Sequence, residues 1–247
     1  MPRVSDSKHL TTCGWDEVPH LGEAEKAKML RETQPYMRDA RSKGTPSLGA
    51  GAIYPVEEDV YLCDPFPIPA HWRRSFALDV GWKITAGLWG AIDPDTGLNY
   101  LYAEHYLGRQ EPSIHANAIK ARGDWIPGVI DPAARGRSQI DGRTLMQSYV
   151  DLGLVLVPAN NAVEAGIQMV WELLSSGRLK VFRTLGRWRQ EHKFYRRDEK
   201  GHIVKEDDHL MDTTRYWVVS GRDIAIVKPA DKHLINVREG GDSKMGY

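Results

Sequence analysis

A chain of 247 residues with 33 basic and 33 acidic side chains carries no formal net charge, and it is 41% hydrophobic and 27% charged. These are globular proportions, which exclude a collagen-like rod, a disulfide-stapled miniprotein and a largely disordered chain. No apolar run reaches the roughly 18 residues of a membrane-spanning helix, and the polar first ten residues lack a signal core, so secretion is not expected.

The N-terminal part reads differently from the rest. Residues 23–40 have helical spacing, with Ala27, Leu30 and Met37 among charges and Pro35 as an interruption. Gly and Pro then punctuate residues 44–69, so this part reads as an extended linker rather than a core element. A boundary is placed near Trp72, giving an extension over 1–72 and a main domain over 73–247. Cys13 and Cys63 provide no disulfide framework and fit a reducing compartment.

Strands are expected over 74–80, 84–92 and 100–106, with the Asp93-Pro94-Asp95-Thr96-Gly97 turn linking the last two. Ser113 is expected to cap a helix to about Arg122. A short apolar strand follows over 126–130, stopped by Asp131-Pro132. Asp141 opens a helix to about Leu152, with Gly153 after it. Then come a strand (154–157), a helix (163–174), a strand (179–182) and a helix around Trp188. A charged hairpin turning at Lys200-Gly201 and a last helix over 208–219 complete the chain. Hairpin-linked strands followed by alternating helices and strands predict an α/β fold with a mixed sheet.

Charge is unevenly distributed. Residues 1–72 hold eight basic and eleven acidic side chains, whereas 178–205 hold ten basic and three acidic, interleaved with Phe182, Trp188, Phe194 and Tyr195. Such a stripe suits a phosphate backbone, although basic runs often form only a solvated face.

Three acidic positions stand out. Asp79 and Asp131 each end an apolar strand, and Asp207-Asp208 open the last helix. In an open α/β sheet the carboxyl ends of strands converge on one crevice. Clustered carboxylates raise one another's pKa and need neutralising, which a hard divalent cation accomplishes; oxygen donors favour Mg²⁺ or Mn²⁺. Singly, each has a plainer role: Asp79 and Asp131 as turn residues, Asp207 or Asp208 as an N-cap, Asp212 as the partner of Arg215. His209 reads as a metal ligand, a proton shuttle or a surface residue of the first turn. Glu104 can face either side of its strand, and Trp82, Trp89 and Trp171 are expected in the core. No zinc-type Cys/His spacing, GxSxG elbow or GxxxxGK[ST] phosphate loop is present.

The ordered segments FALDVGW, VIDPAA, NAVEAGI with GRLKVF, and DDHLMDTTRYW resemble the nuclease domain of the large terminase subunit of tailed phages. WDEVPHL and GTPSLGAGAIYPV resemble the segment that leaves the ATPase domain in those proteins. The resemblance implies a ribonuclease H-like mixed sheet flanked by helices and a two-metal endonuclease, using Mg²⁺ or Mn²⁺, that cuts double-stranded DNA during genome packaging. It matches Asp79 to the aspartate contacting both metals, Asp131 to the acid after the fourth strand, and Asp208 to the last-helix aspartate, with Asp207 the close alternative. Lys193, Arg196 and Arg187 fall where such domains approach DNA. The implied partners are duplex DNA, the portal and the small terminase subunit, and the implied location is the cytoplasm of the infected host. The ATPase motor has no counterpart in these residues, so translocation is not expected of this chain alone. The competing readings are a non-catalytic DNA- or portal-binding adaptor and a resolvase-like nuclease of the same fold.

Overall fold

The computed structural model describes residues 21–33, 51–136 and 144–230, with the single positions Trp15 and Ser42. Helix α1 spans Glu23–Arg31. After it come β1 (Gly51–Ala52), the one-turn α2 (Glu58–Tyr61) and β2 (Leu62–Cys63). The long strands are β3 (Arg73–Asp79), β4 (Thr85–Ile92) and β5 (Asn99–Leu107). Then follow α3 (Pro112–Lys120), β6 (Gly128–Ile130), α4 (Leu145–Asp151), β7 (Leu156–Pro158) and α5 (Val163–Ser175). The chain continues through β8 (Leu179–Phe182), α6 (Gly186–Phe194) and β9 (Arg196–Arg197) to α7, which begins at His209. Helix α7 runs regularly to Tyr216, passes through a π turn at Trp217–Gly221 and ends at Ile224.

Seven strands form one mixed sheet in the order β2-β8-β5-β4-β3-β6-β7. β3, β4 and β5 are antiparallel neighbours, while β6 runs parallel to β3, β7 to β6, and β8 to β5. The β4–β5 turn forms as expected: the Asp93 carboxylate accepts from the Asp95 N–H at 3.0 Å and from the Thr96 hydroxyl at 2.6 Å. The charged hairpin also forms, with Arg197 bridged to Ile203 and the Asp198 carboxylate accepting from the N–H groups of Lys200 and His202.

Two apolar clusters lie on opposite faces of the sheet, and the two-residue period of β3 and β6 divides their side chains between them. Phe76, Leu78 and Ile130 join Trp89, Ile119 and Tyr149 on the α3–α4 face. Ala77 and Val129 join Val170, Leu174, Met211 and Trp217 on the α5–α7 face. Helix α7 sits close to the sheet because β4 has Gly90 at the crossing, where an added Cβ would lie 2.1 Å from the Trp217 ring. The Ser75 hydroxyl of the neighbouring β3 also ties the helix to the sheet, donating to the Gly221 carbonyl at 2.6 Å and accepting from the Trp217 indole N–H at 2.9 Å.

Several local expectations change. The linker reading fails from Gly51 onward: Ile53, Tyr54, Tyr61 and Leu62 are core residues, the first two carried in by the β1–β9 pairing and the Ile53 N–H bond to the Tyr195 carbonyl, the last two by the pairing of β2 with β8. Ser113 does not cap α3; the helix starts at Pro112, whose fixed φ suits a first turn. The start proposed at Asp141 lies outside the described residues, and the hydroxyl of Thr144 caps α4 by accepting from the Gln147 N–H. Cys13 and Pro35 also lie outside them. Trp89 and Trp171 are buried as expected, but Trp82 is 67% exposed.

Candidate active site

Leu78 and Ile130 are paired in the parallel β3–β6 ladder, so Asp79 and Asp131 leave adjacent strands side by side. By the same two-residue period, Asp79 continues the row of Ala77 and Asp131 that of Val129, so both are directed toward the face covered by α7. Asp131 also serves as a turn residue, its Oδ1 accepting from the Ala133 N–H at 2.9 Å.

The first turns of α7 bring a histidine and an acid to the same place. Nδ1 of His209 stands 2.7 Å from Oδ2 of Asp79, which gives His209 a defined partner rather than the solvent-facing position of an ordinary first-turn residue. Three residues on, the same helix face carries Asp212. Burial pushes the Asp79 carboxyl above its ordinary range; His209 opposes this, and the charges of Asp131 and Asp212 add to it. His209 is in turn held above its usual range, mainly by the Asp79 hydrogen bond. The Tyr216 phenol is pushed up by burial and by Asp212, Asp131 and Asp79. Three carboxylates therefore act on one another across the strand ends and α7.

Cations limit this repulsion from the side. Arg215 donates to Asp212 at 2.8 Å and to Asn161 at 2.8 Å. Lys205 lies 2.9 Å from Asp208 and 3.2 Å from Asp212. Asp208 is buried beside Lys205, and its side chain does not cap α7. Asp207 is exposed, with a left-handed φ of +50°. It lines a cleft of about 250 Å³ with Ile84, Tyr106, Arg187, Gln190, Glu191 and Phe194.

The cap of α7 is Glu191, whose Oε2 accepts from the backbone N–H groups of Leu210 at 2.5 Å and Met211 at 3.3 Å. Burial raises this carboxyl to about 7, against the opposing pull of those N–H groups. Glu104 does the same one layer earlier. Its two oxygens accept from the N–H groups of Arg187 and Trp188 at 3.0 and 2.9 Å, fixing the start of α6. Two carboxylates at successive helix N-termini thus tie β5 to α6 and α6 to α7, where each is favoured by unsatisfied N–H groups.

The three basic residues singled out in the sequence are all exposed. Arg187 lines the cleft with its guanidinium over the Tyr106 ring. Lys193, on α6 rather than the hairpin, lies 3.4 Å from Glu58, and Arg196 belongs to β9. Sequence reasoning assigned Asp212 only to Arg215 and did not single out Glu191. The His-x-x-Asp spacing of His209 and Asp212 was the available signal, since it puts both on one helix face.

Among the described residues, no three His, Cys, Asp or Glu side chains form a ready-made metal cage. The donor chemistry nonetheless fits a hard divalent cation. Asp79, Asp131 and Asp212 are oxygen donors, and burial with mutual repulsion already disfavours the charge on Asp79.

A family model for the terminase RNaseH-like domain matches residues 83–220. The large terminase subunit of Salmonella phage P22 is 29% identical over 233 residues, covering 88% of this chain and 46% of that protein. The large terminase subunit of Enterobacteria phage LP7 is 30% identical over 211 residues, covering 81% of this chain and 44% of the relative. This chain therefore spans about half the length of the curated relatives it matches. In structure it is similar to the P22 large terminase nuclease domain, with a TM-score of 0.66 and 30% identity over 73% of this chain and 96% of the other. It shares its fold with the large terminase of the thermophilic bacteriophage D6E in complex with ADP, at TM-score 0.67 and 19% identity, covering 84% of this chain and 54% of that one. With a mixed sheet flanked by helices and these relatives, the chain belongs to the terminase RNase H-like domain family.

Proposed function

We propose that this chain is a divalent-metal-dependent endonuclease that cuts double-stranded DNA during phage genome packaging. The observation that carries the reading is the emergence of Asp79 and Asp131 side by side from adjacent strand ends, with the charge of Asp212 of α7 acting on Asp79. Family membership supplies the reaction class, and the carboxylate cluster supplies a place for it.

Asp79, Asp131 and Asp212 are the residues that would hold Mg²⁺ or Mn²⁺. Asp79 is central because the charges of both of the others act on it. Asp208 is the alternative on α7; Asp212 is favoured because its charge, and not that of Asp208, is among those acting on Asp79. Asp207, aimed along the cleft, is the weaker candidate. When bound, one or two such ions would activate a water and offset charge on the phosphate, as in two-metal hydrolysis. The remaining work belongs to the protein. His209 orients the Asp79 carboxylate through Nδ1, and Glu191 fixes the helix start that presents His209 and Asp212. Exposed Arg187, Lys193 and Arg196 hold the phosphate backbone without reading bases. The portal, the small subunit and the ATPase motor are the partners that packaging would require, and the host cytoplasm is where they would meet it.

Supercoiled plasmid incubated with the protein in Mg²⁺, Mn²⁺ or EDTA tests this reading. Nicking and linearisation in metal but not in EDTA are expected. A folded protein that leaves the plasmid intact in both metals would support a DNA- or portal-binding adaptor instead.

A further inference from the structure

We propose that Trp82 is a nucleotide-contacting residue, its indole packing on the sugar and base edge of duplex DNA beside the phosphate addressed by Asp79. This rests on the nuclease reading above and extends it to a position that reading does not assign.

Trp82 is the most exposed of the large hydrophobic side chains among the described residues, at 67%. A large indole left in water forgoes substantial burial, so its exposure calls for an explanation. Loose backbone is not that explanation, because the loop is held from two sides. Its carbonyl accepts from the Arg109 N–H at 2.8 Å, and the Gly81 carbonyl accepts from the Thr85 hydroxyl at 3.1 Å. The chain after β5 presses so closely on this loop that a Cβ on Gly108 would lie 1.7 Å from the Lys83 carbonyl oxygen. Arg109 adopts a φ of +56° to make its bond to Trp82. Left-handed backbone at a non-glycine residue is uncommon and concentrates at functional sites. The loop thus holds the Trp82 backbone in place and leaves the indole in solvent.

The surroundings select the partner. Trp82 is three residues beyond Asp79, and its neighbour Lys83 is exposed, as is Arg109. Neither cation has an ion-pair partner among the described residues. Two residues beyond Trp82, Ile84 begins the wall of the cleft that Arg187 and the 61%-exposed Phe194 also line. An aromatic flanked by unpaired cations can pack on a deoxyribose while the cations neutralise the adjoining phosphates of a duplex. Three residues beyond Asp79 in the chain, it would set where the duplex sits rather than take part in the chemistry.

The test compares wild type, Trp82→Ala and Trp82→Phe in the full chain. Binding of a fluorescein-labelled duplex is followed by anisotropy in Ca²⁺, and plasmid cleavage is followed in Mn²⁺. Trp82→Ala is expected to bind about tenfold more weakly, the scale of truncating one aromatic interface residue. Its cleavage should show a raised KM with kcat reduced less, and Trp82→Phe should recover binding to within about threefold. Equal binding and KM in wild type and Trp82→Ala would overturn the proposal while leaving the nuclease reading intact, and would turn attention to a protein partner for this face. Wild type that neither binds nor cuts duplex DNA would overturn both.

Discussion

Oδ2 of Asp79 and Nδ1 of His209 lie 2.7 Å apart, joining the end of β3 to the first turn of α7 across 130 residues of sequence. The contact partly offsets a carboxylate whose burial and acidic neighbours disfavour its charge. Above the ordinary histidine range the positive charge fades, and Asp79 then faces Asp131 and Asp212 with less compensation. Asp79→Asn is therefore expected to hold or raise thermal stability at alkaline pH, by about 1 kcal/mol, as happens where function and stability conflict. A thermal melt at about pH 8 that shows a large loss would mean the Asp79 charge stabilises the fold.

The two acids of the α7 start should separate in function. The charge of Asp212 acts on Asp79, whereas that of Asp208 is not among those acting on it. Asp212→Asn should lower metal-dependent cleavage by about 100-fold or more, and Asp208→Asn by less than about tenfold, since only the former removes a proposed cation ligand. Initial rates of plasmid nicking at saturating Mn²⁺ decide the order. The reverse ranking would return the third ligand to Asp208.

Glu191 should make stability depend on pH. Its folded carboxyl titrates at about 7 against an ordinary value of 4.5. Between these values the folded state binds the extra proton, so stability falls as pH rises through the window and the full loss is reached above it. The shift caps the effect at about 3 kcal/mol. Glu191→Gln keeps an oxygen for Leu210 and Met211 without titrating. Its stability relative to wild type should grow between about pH 5 and pH 8 in urea titrations; a constant difference would contradict the assignment.

Gly90 should tolerate nothing larger. A methyl group there meets the Trp217 ring at 2.1 Å and would push α7 from β4. Gly90→Ala is expected to cost about 2 kcal/mol, a usual overpacking penalty, and to lower Tm by roughly 5 °C. Calorimetry that finds an unchanged Tm would show that the helix shifts freely over the sheet.

Much of this architecture was legible because apolar runs and turn chemistry are local signals. Residues 74–80 and 84–92 read as strands because each is a short apolar run, and the Asp93–Gly97 turn and the Asp198–Gly201 hairpin follow from Asp and Gly placement. Asp79 and Asp131 were visible as charges ending apolar runs. What stayed hidden depends on distant pairing. Leu62 and Cys63 look like linker until β8 lies beside them. Glu191 looks like one acid in a basic run, yet it caps a helix 19 residues away. Trp82 looks like core because a sequence window cannot show that Arg109 and Gly108 hold its loop outward. Asp212 had a sufficient local partner in Arg215, which concealed the action of its charge on Asp79.

The most direct measurement compares plasmid cleavage by wild type and Asp79→Ala in Mn²⁺, with circular dichroism on both. The account predicts metal-dependent nicking and linearisation by wild type and none by the folded variant. Undiminished cutting by Asp79→Ala would contradict it, because the chemistry would then reside away from the β3–β6 strand ends.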